Sequence, residues 1–220
     1  MTDWFTDELF DLPLANRIVF PVSRLVVDPE RFLDDSMEIM AEQGMGVVYT
    51  RTSQGSDLRP ELTQESRLNL IERFYVPHHG ALTKAVDDLL DTENWCLVID
   101  CHSFPSRPLP YEPDQEPDRP DICLGTDPFH TPAWLASGAF KSFTESGFRV
   151  EFNRPFAGAL VPGKQFQSDP RVLALMIEVN RSTYMDETSG RRLRSFGLLR
   201  TRLGEALRKL SSLCGSQSLA

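Results

Sequence analysis

The hydrophobic positions of the chain fall into two alternating patterns. Short apolar runs of β-rich composition predict strands, and apolar residues three and four apart predict amphipathic helices. Arg17–Val22 (RIVFPV) and Gly46–Thr50 (GVVYT) are of the first kind. Pro29–Gln43 is of the second, with Phe32, Leu33, Met37 and Met40 at helical spacing and a proline at its start. Arg51–Pro60 is polar and contains Gly55, which predicts a loop. Glu61–Tyr75 has Leu62, Leu68, Ile71 and Phe74 as an inner helical face, and Pro77 is expected to end that helix. A further amphipathic helix is expected over Gly80–Leu90, with Leu82, Val86, Leu89 and Leu90 apolar.

Trp95–Asp100 (WCLVID) is nearly continuous in apolar residues and ends in a carboxylate; Val172–Val179 (VLALMIEV) repeats that character. Both predict strands buried on both faces. Between them, Ser103–Pro120 carries Pro105, Pro108, Pro110, Pro113, Pro117 and Pro120, which excludes a central strand or helix and predicts a long surface loop. Asp121–Leu124 and Phe148–Phe152 are expected as short strands, Pro132–Glu145 as a helix. From Arg191 onward Leu193, Phe196, Leu199, Leu203, Leu207 and Leu210 mark an amphipathic terminal helix. This alternation predicts an α/β fold with a mixed, mostly parallel sheet flanked by helices. The expected organisation is a single domain over 1–213 and a frayed tail over 214–220.

Composition narrows the function classes. The chain has 220 residues, a globular share of apolar side chains (40%) and a net charge of −9. A generally acidic surface disfavours binding to phosphate backbones or anionic membranes, so no nucleic-acid partner is expected. No apolar run reaches the ~20 residues that span a bilayer. The first ten residues are acidic and lack the form of a signal peptide, so the expected location is the cytoplasm. Four cysteines, with no CxxC pair, are expected to be reduced thiols. Fingerprints of dinucleotide, P-loop, HExxH and GxSxG chemistry are missing from the sequence.

Two polar clusters stand where the buried-type strands give out, the place where sites in open α/β sheets gather. In Asp100-Cys101-His102-Ser103, strand alternation puts Asp100 and His102 on one side. A neutral imidazole there suits a metal or general-base role, and a packed or capping histidine is the plainer alternative. In Glu178-Val179-Asn180-Arg181, Glu178 and Asn180 share a face. A carboxylate at the mouth of a buried strand is either a working base or half of an ion pair, here with Arg181 or Arg24. Adjacent His78 and His79 point apart, and His130 is expected at the surface near a helix start. Arg24, Arg51, Arg59, Arg154 and Arg181 lie near strand ends or loops, where guanidinium forks suit a carboxylate ligand. Asn153 sits beside Arg154 in an Asn-Arg-Pro-Phe-Ala-Gly stretch.

VSRLVVDPERF (22–32), YTRTSQG (49–55), YVPHHGAL (75–82), VIDCHSFPS (98–106), PDICLG (120–125), NRPFAG (153–158) and LMIEVNRSTYMDE (175–187) occur in that order. Together they resemble the N-formylglutamate amidohydrolase family, from about Thr2 to about Phe196. The resemblance implies a three-layer, zinc-carboxypeptidase-like fold. It also implies zinc-dependent hydrolysis of the amide bond of N-formyl-L-glutamate, or of a related N-acyl acidic amino acid, within histidine catabolism. His102 is then a zinc ligand, and Glu178 the base that activates water. Arg24, Asn153 and Arg181 are then oxyanion and substrate-carboxylate contacts. A carboxylate ligand is expected from Thr2–Glu8, with Asp3 favoured over Asp7 or Glu8. The implied partner is a small acidic molecule. One departure matters: Met1 directly precedes Thr2-Asp3-Trp4, where the family carries a Pro-His-Ser-Gly segment whose histidine is the natural first zinc ligand. The alternative expectation is therefore a metal-depleted, inactive member that binds a small acidic ligand.

Overall fold

The computed structural model describes residues 2–13 and 15–217. Chain contacts divide them into two compact units. The first comprises Asn16–Ala85 and Leu109–Gln115, with Thr2; the second comprises Asp3–Ala15, Val86–Pro108 and the chain from Glu116 onward.

The second unit carries a four-stranded sheet. Its strands are β1 (Cys96–Phe104), β2 (Ile122–Gly125), β3 (Val150–Phe152) and β4 (Val172–Asn180), in the order β1-β4-β2-β3. β1 and β4 run parallel in unbroken register from Cys96–Val172 to Phe104–Asn180. β2 is parallel to β3 and antiparallel to β4, so the sheet is mixed and mostly parallel. One face carries Leu97, Ile99 and Cys101 of β1, Leu173, Leu175, Ile177 and Val179 of β4, and Ile122 and Leu124 of β2. These pack under α4 (Ala133–Glu145) and α5 (Phe196–Gln217) through Leu135, Ala139, Phe143, Leu203, Ala206 and Leu207. At the base of the other face, Cys96, Val98, Val172 and Ala174 meet Val86 and Leu90 of α3 (Val76–Glu93). Further along that face the β1 and β4 positions turn polar, and the candidate site lies there. α5 runs on through Gln217 with Cys214 buried, past the point where the tail was expected to begin. Residues 218–220 of that expected tail lie outside the described residues.

The first unit departs further from the sequence pattern. Neither Arg17–Val22 nor Gly46–Thr50 forms a strand. Val47 and Val48 are buried with Val27 and Ile71, and Tyr49 is fully buried, so the apolar run reports burial without a pairing partner. The helix expected over 29–43 is reduced to two 3-10 turns, Asp35–Met37 and Ile39–Gln43. Ile39 is 84% exposed and Met37 63%, so helical spacing there serves no core. Pro77 does not end a helix. α2 (Gln64–Leu70) passes through a π-helical segment, Ile71–Tyr75, directly into α3. The wider π turn accommodates a ring that would clash with the preceding carbonyls of a regular α-helix.

Candidate active site

Three strands contribute to one rung of the sheet. His102 of β1 pairs in register with Glu178 of β4, which pairs on its other side with Cys123 of β2. Register partners share a face, and so do residues two apart on a strand. Asp100 and His102 therefore lie together, as do Glu178 and Asn180. Glu178 is buried at 7% exposure. The Cys123 thiol is pushed up to about 12 by burial first, and further by the carboxylates of Glu178 and Glu151.

His102 stands between two carboxylates. Its Nε2 is 2.7 Å from Asp100 Oδ1, and its Nδ1 is 3.6 Å from Asp3 Oδ2. Asp3 arrives from outside the sheet and is fixed at the end of β1. Its Oδ1 accepts the Ser103 backbone N–H at 2.8 Å and the Ser103 hydroxyl at 3.2 Å. Arg181 reinforces this, with Nε donating to Ser103 Oγ at 3.0 Å and Nη2 to the Ser103 carbonyl at 2.8 Å. The same Nη2 is 3.8 Å from Asp3 Oδ1. Tyr184 Oη donates to the carbonyl of Trp4, next to Asp3, at 2.8 Å. Its phenol is pushed up to about 12, chiefly by burial.

A loop crosses the polar face from the end of β3. Cys123 Sγ donates to the Phe156 carbonyl at 3.1 Å, and Leu160 N–H donates to Asp100 Oδ2 at 3.1 Å. Gly125 is needed beneath it, because a Cβ at that position would strike the Gly158 carbonyl and the Met176 side chain.

This arrangement can hold a cation. Asp100 and His102 offer ligand-type atoms close together. On the opposite edge of the imidazole, the 3.6 Å between Asp3 Oδ2 and His102 Nδ1 is close to the ~3.3 Å that separates two donors bound tetrahedrally at ~2.0–2.1 Å to one zinc ion. The residues present fit a metal ion.

Other expected site residues have local partners of their own. Asn153 has a left-handed backbone (φ 54°) and its amide is engaged with Thr126, accepting from the Thr126 N–H at 2.9 Å and donating to its hydroxyl at 2.9 Å. Arg24 belongs to the first unit, where Nε is 3.8 Å from the fully buried Asp28. His78 and His79 also belong there. His78 meets Phe20 edge-on, while His79 stacks on Tyr75 and bonds the Pro29 carbonyl at 2.9 Å. Glu8 is paired with Arg192. His130 is not a surface residue: it is fully buried, with Nδ1 on the Val172 carbonyl at 2.7 Å and Nε2 accepting from the Gln167 N–H at 2.9 Å. That pattern is a neutral, structural imidazole. All four cysteines are free thiols. Sequence reasoning missed Ser103 as the anchor that holds Asp3 to Arg181, and a serine following a candidate ligand gives no local signal of that role.

A sequence profile of N-formylglutamate amidohydrolases (FGase) matches residues 1–185. The chain belongs to this family. It is an amidohydrolase. An N-formylglutamate deformylase of Pseudomonas putida is 28% identical over 199 residues, covering 85% of this chain and 72% of the relative. One from Pseudomonas aeruginosa is 26% identical over 194 residues, covering 84% and 71%. The amidohydrolase fold matches the crystal structure of an N-formylglutamate amidohydrolase from Ralstonia eutropha JMP134 with a TM-score of 0.71. That match has 24% identity and covers 88% of this chain and 75% of that one. A gene product of Agrobacterium tumefaciens shares the fold at a TM-score of 0.58 and 17% identity, over 87% of this chain and 69% of its own. Among the described residues, no helix is long and apolar enough to cross a membrane.

Proposed function

We propose that this amidohydrolase cleaves the formamide bond of N-formyl-L-glutamate, or of a closely related N-acyl acidic amino acid, with a zinc ion held by His102 Nδ1 and Asp3 Oδ2. The observation that carries this reading is the 3.6 Å approach of those two atoms, with Glu178 on the same rung as His102. The names of the relatives support the substrate. A catalytic zinc takes three protein ligands, so one further donor belongs to the complete site. When bound, zinc supplies Lewis acidity and lowers the pKa of a coordinated water to ~7.

Glu178 accepts the proton of the attacking water on its carboxylate and delivers it to the amine nitrogen as the C–N bond breaks, so that formate and glutamate leave. Burial of Glu178 keeps bulk water from competing for that proton. Arg181, already oriented by Ser103 and 3.8 Å from Asp3, is the first choice for a substrate carboxylate or the oxyanion. Arg24 and Asn153 complete the proposed substrate contacts. The proposed setting is the cytoplasm and the catabolism of histidine, with a small acidic molecule as partner and no nucleic acid.

The test is metal content together with formate release from N-formylglutamate, on the chain supplied with zinc. Glu178→Gln is expected to retain zinc and to lose at least ~10²-fold in turnover, the scale of a general base. His102→Ala is expected to lose the metal. Undiminished turnover in Glu178→Gln contradicts the base assignment, and zinc retained at full stoichiometry in His102→Ala contradicts the ligand assignment.

A further inference from the structure

A metal at His102 Nδ1 leaves the other ring nitrogen to a different partner. That nitrogen has the shorter contact. His102 Nε2 lies 2.7 Å from Asp100 Oδ1, a full hydrogen bond, and both side chains are largely buried. The second oxygen of Asp100 is also engaged, accepting the Leu160 N–H at 3.1 Å. The carboxylate is thus fixed at both oxygens, by a strand neighbour on one side and by the crossing loop on the other. This contact engages one ring nitrogen, Nε2, and the other, Nδ1, is the atom that faces Asp3.

We propose that Asp100 is a positioning residue that engages His102 Nε2 and so aims Nδ1 at the metal, with the Leu160 amide fixing the carboxylate in turn. This rests on the metal reading above. A carboxylate behind a ligating histidine sets ring orientation and raises the basicity of the ligating nitrogen. The arrangement also explains why the loop 153–161 must lie close over Gly125: it delivers the amide that clamps Asp100.

Two measurements test this. In zinc-loaded protein, nitrogen NMR of labelled histidines reads which His102 nitrogen meets the metal. The expected result is a protonated Nε2 and a metal-bound Nδ1; metal at Nε2 overturns the proposal without any variant. The second measurement is zinc affinity by competition with a chromophoric chelator. Asp100→Asn lets the side-chain amide face Nε2 while its oxygen keeps the Leu160 bond, favouring the wrong tautomer. It is expected to bind zinc about 10–100-fold more weakly at unchanged stoichiometry. Asp100→Glu keeps the charge and is expected to fall between Asp100→Asn and the unsubstituted protein. Unchanged affinity in Asp100→Asn overturns the proposal. Loss of the whole zinc equivalent in Asp100→Asn, as expected for His102→Ala, also overturns it, because Asp100 would then be a ligand. If the unsubstituted protein binds no zinc, the metal reading itself fails and this proposal falls with it.

Discussion

Histidines in this chain are distinguished by what their two ring nitrogens face. His130 has a backbone partner on each side and is spent on structure. His102 has a carboxylate on each side, one at hydrogen-bond distance and one further off, a setting unlike that of a histidine held by backbone. His79 lies between these cases. It is stacked on Tyr75, and its Nε2–H donates to the Pro29 carbonyl. Burial depresses its pKa below the ordinary 6.5, against the raising effect of that hydrogen bond. The folded state therefore favours the neutral ring, and the unfolded chain takes up a proton first as the solution is acidified. Its contribution to stability is fully present above the unfolded value and is lost as pH falls through the folded one. Denaturant midpoints measured from pH ~7.5 down to ~5 should fall, and His79→Gln should make that fall shallower. An identical slope in the variant would show that His79 does not titrate between the two states.

At the scale of elements, pattern was sufficient where an apolar run had a partner and misleading where it did not. WCLVID and VLALMIEV are both real strands because they pair with each other, residue for residue. Alternation then placed Asp100 with His102 and Glu178 with Asn180 correctly on shared faces. GVVYT has the same composition but no strand beside it, and it is buried by wrapping instead. Asp3 was legible only through resemblance, since its neighbour Ser103 is a hundred residues away in sequence. The crossing loop left a subtler trace in Gly125, the last residue of β2. Its missing Cβ is required by backbone, the Gly158 carbonyl, which cannot swing aside as a side-chain tip can. Gly125→Ala should therefore cost about 1–3 kcal/mol through overpacking, read as a lowered unfolding midpoint. It should also displace the loop that carries the Leu160 amide, weakening zinc binding alongside stability. A variant as stable as the parent would mean the loop has slack at that position.

The whole molecule pairs two ways of burying apolar surface. In the second unit the core is a hydrogen-bonded ladder: β4 is bonded on both edges, by β1 and by β2, with Leu175 and Ile177 fully buried. In the first unit Val47 and Tyr49 are just as deeply buried, yet among the described residues the only bridge near them is the isolated pair Arg51–Asp57. Side-chain burial is alike in the two places, and backbone hydrogen bonding is not. Amide exchange responds to the second property, because an amide exchanges when its hydrogen bond opens, and a ladder flanked on both sides opens only with its neighbours. Hydrogen–deuterium exchange followed by peptide mass spectrometry should therefore show Val172–Asn180 as the slowest segment. Gly46–Thr50 should exchange markedly faster despite its buried side chains. Equal protection of the two segments would mean that the first unit opens only when the whole chain unfolds, so that the wrapped core is as cooperative as the sheet. The expected difference instead makes the first unit the part that can loosen while Asp3, Asp100, His102 and Glu178 keep their places within the second.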